Sequence, residues 1–185
     1  VGSEMCIRDR SVGKDSMFAN TTGASNVAVG LSALQNNTTA SNNTAVGRKA
    51  LTSTTTGHSN TAVGETAALN VTGNGNTAIG REAMQLGTGG EDNVAVGYQA
   101  LQDCAGDNNV GIGRNSLKQL TTGSGNVAVG QMTGQDLTTG TGNTFIGLGA
   151  GQNITTANEN ALIIKYDEAP RNGIAAKQAR ANSHE

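Results

Sequence analysis

The chain has 185 residues, a formal net charge of −2, 2% aromatic residues and no tryptophan. Leu, Ile, Val and Phe account for only 33 of the 185 residues, which excludes a conventional globule filled by large side chains and leaves a thin core of small aliphatics. Near-neutral charge without a basic run or stacking aromatics argues against a nucleic-acid partner, and no apolar run reaches the ~20 residues of a membrane-spanning helix.

In chain order, the first ten residues, VGSEMCIRDR, match the translation expected of a transposase-type sequencing adapter. Residues 1–10 are therefore expected to be non-native and are set aside from fold reasoning, the native N-terminus having been lost. With Cys6 set aside, Cys104 is the one remaining cysteine. A single thiol builds neither a disulfide framework nor a cysteine metal site.

From residue 11 to about 164 the sequence is periodic. A phrase Asn-x-Ala-Val/Ile-Gly begins at Asn26, Asn43, Asn60, Asn76, Asn93, Asn109, Asn126 and Asn143, at successive intervals of 17, 17, 16, 17, 16, 17 and 17 residues. Its fourth position is always a β-branched aliphatic: Val29, Val46, Val63, Ile79, Val96, Ile112, Val129 and Ile146. Its fifth is always glycine: Gly30, Gly47, Gly64, Gly80, Gly97, Gly113, Gly130 and Gly147. The third is alanine except at Gly111 and Phe145. Degraded units extend the register to SVG at 11–13 and to NALII at 160–164, giving about ten coils. Repeats this short are expected to stack, with atypical units at the ends.

The letters of one unit predict its shape. The phrase alternates at period two and its fourth position suits a strand, so Val29 and its equivalents are expected to fill the core, leaving an Ala/Gly face for close approach of another chain. The glycine is expected to turn a corner. Ala33-Leu34 and its equivalents read as a second short strand returning an apolar side chain to the same core. The remaining Thr, Gly, Asn and Ser read as turns. Seventeen residues suit one coil of a parallel β-solenoid, and ten coils at about 4.8 Å predict a rod of roughly 45–50 Å. The asparagines are then expected to form a structural ladder. Because a single thin rod is marginal, a symmetric oligomer is expected.

The phrase N-T/V-A-V/I-G-x-x-A-L with Gly/Thr/Asn-rich turns resembles the YadA-like head repeats of trimeric autotransporter adhesins, over residues 11 to about 164. The resemblance implies an all-β, left-handed parallel β-roll packed side by side as a homotrimer. It also implies display at the bacterial cell surface, outside the outer membrane, where such heads bind a host surface protein, matrix or glycan receptor without touching the membrane. Similar repeats occur in bacteriophage tail fibres, so a virion fibre segment is an alternative, and a purely structural spacer is another. Residues 165–185, with Pro170 and a possible short helix at GIAAKQARAN, read as an end cap or the start of a neck or stalk.

Catalytic, cofactor and metal motifs do not emerge. GNGNTA (73–78) and GSGNVA (123–128) fit the Gly-x-Gly-x-x-Gly/Ala string, but they recur in repeat register with no helix to follow. GTGGED (87–92) is a single acidic turn, not a nonapeptide calcium roll. His58 and His184 stand without a ligand or triad set, and Asn70-Val71-Thr72 is a sequon expected from composition. The Thr clusters drift in register, which argues against an ice-binding face. No enzyme and no cofactor are expected. One column invites recognition: the residue after each glycine runs Leu31, Arg48, Glu65, Arg81, Tyr98, Arg114, Gln131. Stacked, Arg48, Arg81, Tyr98 and Arg114 read either as a surface ion-pair and cation–π ladder or as a cationic strip for an acidic glycan. Recognition is otherwise expected on the variable turns 35–42, 52–59, 85–92 and 102–108.

Overall fold

A computed structural model describes residues 8–163. Ten three-residue strands, β1 (Arg10–Val12), β2 (Val27–Val29), β3 (Thr44–Val46), β4 (Thr61–Val63), β5 (Thr77–Ile79), β6 (Val94–Val96), β7 (Val110–Ile112), β8 (Val127–Val129), β9 (Thr144–Ile146) and β10 (Ala161–Ile163), form one parallel sheet. Spatial order equals sequence order, and each strand pairs only with its neighbours in the chain. The protein is thus an all-β solenoid, one coil per repeat, with about 43 Å from the first strand to the last at ~4.8 Å per coil. The proposed short helix at 173–182 and the segment 165–185 lie outside the described residues, as do residues 1–7.

The repeat register holds through every coil, pairing Ala28 with Ala45, Ala45 with Ala62 and Ala62 with Ala78. The two 16-residue units lose their residue at one outer corner. Where other units read Leu120-Thr121-Thr122-Gly123, these read Val71-Thr72-Gly73 and Cys104-Ala105-Gly106. Val71 and Cys104 keep the buried position, so the deletion is absorbed in exposed backbone and never reaches the sheet.

The side-chain parity of the strands is the reverse of the sequence expectation. Ala28, Ala45, Ala62, Ala78, Ala95 and Ala128 are fully buried, whereas Val29, Val46, Val63, Ile79, Ile112 and Ile146 are 36–41% exposed. Ile163, expected at a core position, is 61% exposed. Period-two alternation states only that these two columns face opposite ways. The asparagine sets which one faces in. Its amide must turn inward to close the coil, and the residue two positions on, the alanine, follows it.

The predicted second strand is also different. Ala33-Leu34 and its equivalents lie in turns, with Ser32 at φ 57 and Leu34 at φ 50. Lys49 and Leu51, Gln99 and Leu101, and Asn115 and Leu117 repeat the pair of left-handed residues. Each such residue carries roughly 1 kcal/mol or more of steric cost for an L-amino acid. The cost is offset because the left-handed turn drops the leucine into the core: Leu34, Leu51, Leu101 and Leu117 are fully buried.

Three columns fill the interior: the alanine, the leucine six residues on, and a residue three further along, Asn37, Thr54, Val71, Gly87, Cys104, Leu120 and Leu137 in successive coils. Their volumes compensate. Phe145 replaces the alanine, and Gly134 and Gly151 replace the leucine beside it; a Cβ at either would stand 2.9–3.0 Å from the Phe145 ring. Gly111 in the alanine column likewise faces the Leu101 side chain at 3.0 Å. The corner glycines answer a different demand. Gly47 has φ 135, and a Cβ there would stand 2.4 Å from the Gly64 carbonyl oxygen of the next coil, so stacking at 4.8 Å admits no side chain.

Candidate recognition surface

Every asparagine of the repeat phrase does two jobs. Asn43 Oδ1 accepts the backbone N–H of Asn60 at 2.8 Å, and Asn43 Nδ2 donates to the Gly57 carbonyl at 2.8 Å. The first bond ties a coil to the next; the second closes the coil on itself. The same pair recurs from Asn26 to Asn143, and from Asn93 onward the amide also reaches the oxygen of the preceding asparagine. At the start, Asp9 takes the asparagine's register position, and its Oδ1 accepts the Asn26 N–H at 2.7 Å. These asparagines are 0–1% exposed and their amides are occupied internally, so they present nothing to a ligand.

Two further ladders, not anticipated from the sequence, run along the corners. At six places the residue two before the repeat asparagine accepts the backbone N–H of its equivalent one coil earlier: Ser41 from Ala24, His58 Nδ1 from Ser41, Asn74 from His58, Asp107 from Glu91, Ser124 from Asp107 and Asn158 from Thr141. Chemically diverse residues serve because only one acceptor atom is required, which is why no motif showed it. His58 is therefore an element of this ladder. A threonine column donates to the next coil's carbonyl: Thr21 to Thr38, Thr38 to Thr55, Thr121 to Thr138 and Thr138 to Thr155. The threonines are thus in register at this corner over the first three coils and again from Thr121 to Thr155, with Ala105 interrupting the column between them. The variable turns 35–42, 52–59, 85–92 and 102–108 are accordingly stacked walls, not free loops; each buries a matching pair of residues, Asn37 and Ala40, Thr54 and Gly57, Gly87 and Gly90, and Cys104 and Gly106. Burial pushes the Cys104 thiol up to about 11, with the Gly106 carbonyl 3.4 Å from its sulfur.

The column after the corner glycine is brought together in sequence order. Arg48 pairs with Glu65, its Nε donating at 3.0 Å. That hydrogen bond, and then the Arg48 charge, hold the Glu65 carboxyl below its ordinary value. Arg81 lies 4.9 Å from the centre of the Tyr98 ring, donates to its hydroxyl at 3.2 Å and pairs with Glu82 at 3.1 Å. Arg114 approaches the other side of Tyr98 at 6.0 Å. Arg48, Arg81, Tyr98 and Arg114 therefore form a ladder that satisfies much of its own charge.

The outward face of the sheet is different in kind. Its two columns are the β-branched aliphatics Val29 through Ile146 and the Val/Thr residues two places earlier, Val27, Thr44, Thr61, Thr77, Val94, Val110, Val127 and Thr144. It combines the β-branched aliphatic column with a column of valines and four threonines and is about 43 Å long; three residues at ~3.3 Å each make it about 10 Å wide, so it offers on the order of 430 Å². A patch of that size falls within the range of the largest patch on a typical monomer, a class that is often functional. Among the described residues, no cluster of three or more His, Cys, Asp or Glu could hold a metal ion. The chain matches no family model, and neither the curated proteins nor the solved structures compared with it include a match.

Proposed function

We propose that the chain is the head segment of a homotrimeric bacterial surface adhesin, which displays rigid β-solenoid walls for recognition of a host surface protein, matrix or glycan. The observation that carries the reading is the outward aliphatic column Val29–Ile146, 36–41% exposed at most of its positions. Closed symmetric association is the usual way to cover such a face. The resemblance of the repeat phrase to YadA-like heads supplies the trimer and the cell-surface setting.

Equilibrium sedimentation of the 185-residue chain tests the assembly: three times 18.6 kDa is expected, and a folded monomer at tens of micromolar contradicts it. Binding to immobilised matrix proteins and glycans then tests recognition. A second reading, a spacer holding a distal binding segment away from the surface, is favoured by the corner ladders, whose side chains are used coil to coil. A trimer that binds none of the immobilised partners supports the spacer.

A further inference from the structure

The apolar face is nearly uniform along the rod, so by itself it permits two copies to slide past each other by one coil while forfeiting only about a tenth of their contact. Something less periodic must fix the alignment. The two corners that border the face carry opposite charge at the same level of the rod. Past the corner glycine lie Arg81, which is paired with Glu82, and Arg114, both exposed, in the β5 and β7 coils with Tyr98 between them, so that this corner carries a net positive charge at this level. Just before the strand, on the opposite corner, lie Glu91 and Asp92 leading into β6 and Asp107 leading into β7, all exposed. Among the described residues these three carboxylates make no ion pair, and Arg114 makes none either. Elsewhere the corner before the strand is mostly neutral: Ser41-Asn42, His58-Ser59, Ser124-Gly125, Thr141-Gly142.

We infer that, in the assembly proposed above and resting on that reading, the basic corner of one copy docks on the acidic corner of the next, which makes the contact head-to-tail and holds the copies level. Head-to-tail contacts close into a ring only when neighbours are not displaced along the axis. The charged belt spans about three coils, so a slip of two coils, about 10 Å, separates it. The apolar face supplies most of the contact area, and the belt selects which edge meets which and at what height.

Charge reversal tests this. Arg81→Glu with Arg114→Glu makes both corners acidic; Glu91→Lys with Asp92→Lys and Asp107→Lys makes both basic. Each set is expected to weaken self-association about ten-fold or more, and combining the two in one chain restores it. Circular dichroism at matched concentration confirms that each variant keeps its fold. Association that is indifferent to both reversals, or a combined variant as weak as its parents, overturns the belt while leaving the assembly standing. An unmodified chain that stays monomeric removes the assembly and the belt together.

Discussion

Phe145 gives the sharpest test of the idea that the interior is a stack of constant-volume layers. In most coils an alanine on the strand faces a large residue in the following turn, as Ala45 faces Leu51. The ninth coil inverts the arrangement, with Phe145 on the strand and Gly151 in the leucine position, and the eighth keeps Ala128 on its strand but has Gly134 in the leucine position beside the Phe145 ring. Phe145→Ala alone therefore leaves a hole lined by glycines that cannot collapse to fill it, and should cost about 3–5 kcal/mol. Adding Gly134→Leu and Gly151→Leu rebuilds the ordinary layer. Both glycines have φ near +60, a conformation that Leu34, Leu51, Leu101 and Leu117 already adopt, so the leucines meet no new backbone cost. The triple variant should recover to within about 1.5 kcal/mol of the starting chain. Gly151→Leu with Phe145 retained should overpack and destabilise by at least about 1–3 kcal/mol. Because solenoids can unfold piecewise, urea titration should be read together with hydrogen exchange at the amides of β8 and β9. A triple variant no more stable than Phe145→Ala refutes the constant-volume account.

Three other outcomes follow from particular contacts. Asn76→Ala removes the acceptor of the buried Asn93 N–H and the bond to the Gly90 carbonyl; each orphaned group costs about 1–3 kcal/mol, so a melting curve or urea titration should show clear loss, and a shift no larger than that of a surface Asn→Ala change would contradict the structural role. Cys104, in a Cys6→Ser background, should resist a thiol reagent at pH 8 in the folded chain and react on unfolding, since burial holds its thiol at about 11; prompt labelling of the native protein would show the coil to be open there. Glu65 has a folded value held below the ordinary one by Arg48, so its contribution is present above its unfolded value and lost as pH falls through the folded one. Acid titration should show a small acid-side loss that Glu65→Gln abolishes and 1 M salt reduces.

The coil length, the strand positions, the glycine corners and the asparagine column were legible because each demands one residue type in every repeat. Parity was misread at Val29 because alternation is symmetric; only the geometry of the Asn26 amide, donating to the Ala40 carbonyl, breaks the tie. The turn at Ala33-Leu34 was misread as a strand because propensity offers no warning of a leucine at φ 50; tertiary burial overrides it. The ladder through Ser41, His58, Asn74 and Asp107 was invisible because hydroxyl, imidazole, amide and carboxylate are interchangeable when only an acceptor is needed. In the recognition column, sequence order did give the Arg48–Glu65 and Arg81–Tyr98–Arg114 contacts, because stacked coils turn a spacing of 16 or 17 residues into adjacency.

The corner that absorbs a missing residue has a consequence for reach. Units of 16 and 17 residues advance the sheet by the same single step, since the difference disappears at Thr72 and Ala105 without shifting a strand pair. The rod is therefore a ruler graduated in coils, indifferent to how many residues each division contains. Small insertions or deletions at that corner redecorate the wall and leave the distance between the two ends unchanged. Gaining or losing a whole repeat changes that distance by one fixed increment of about 4.8 Å.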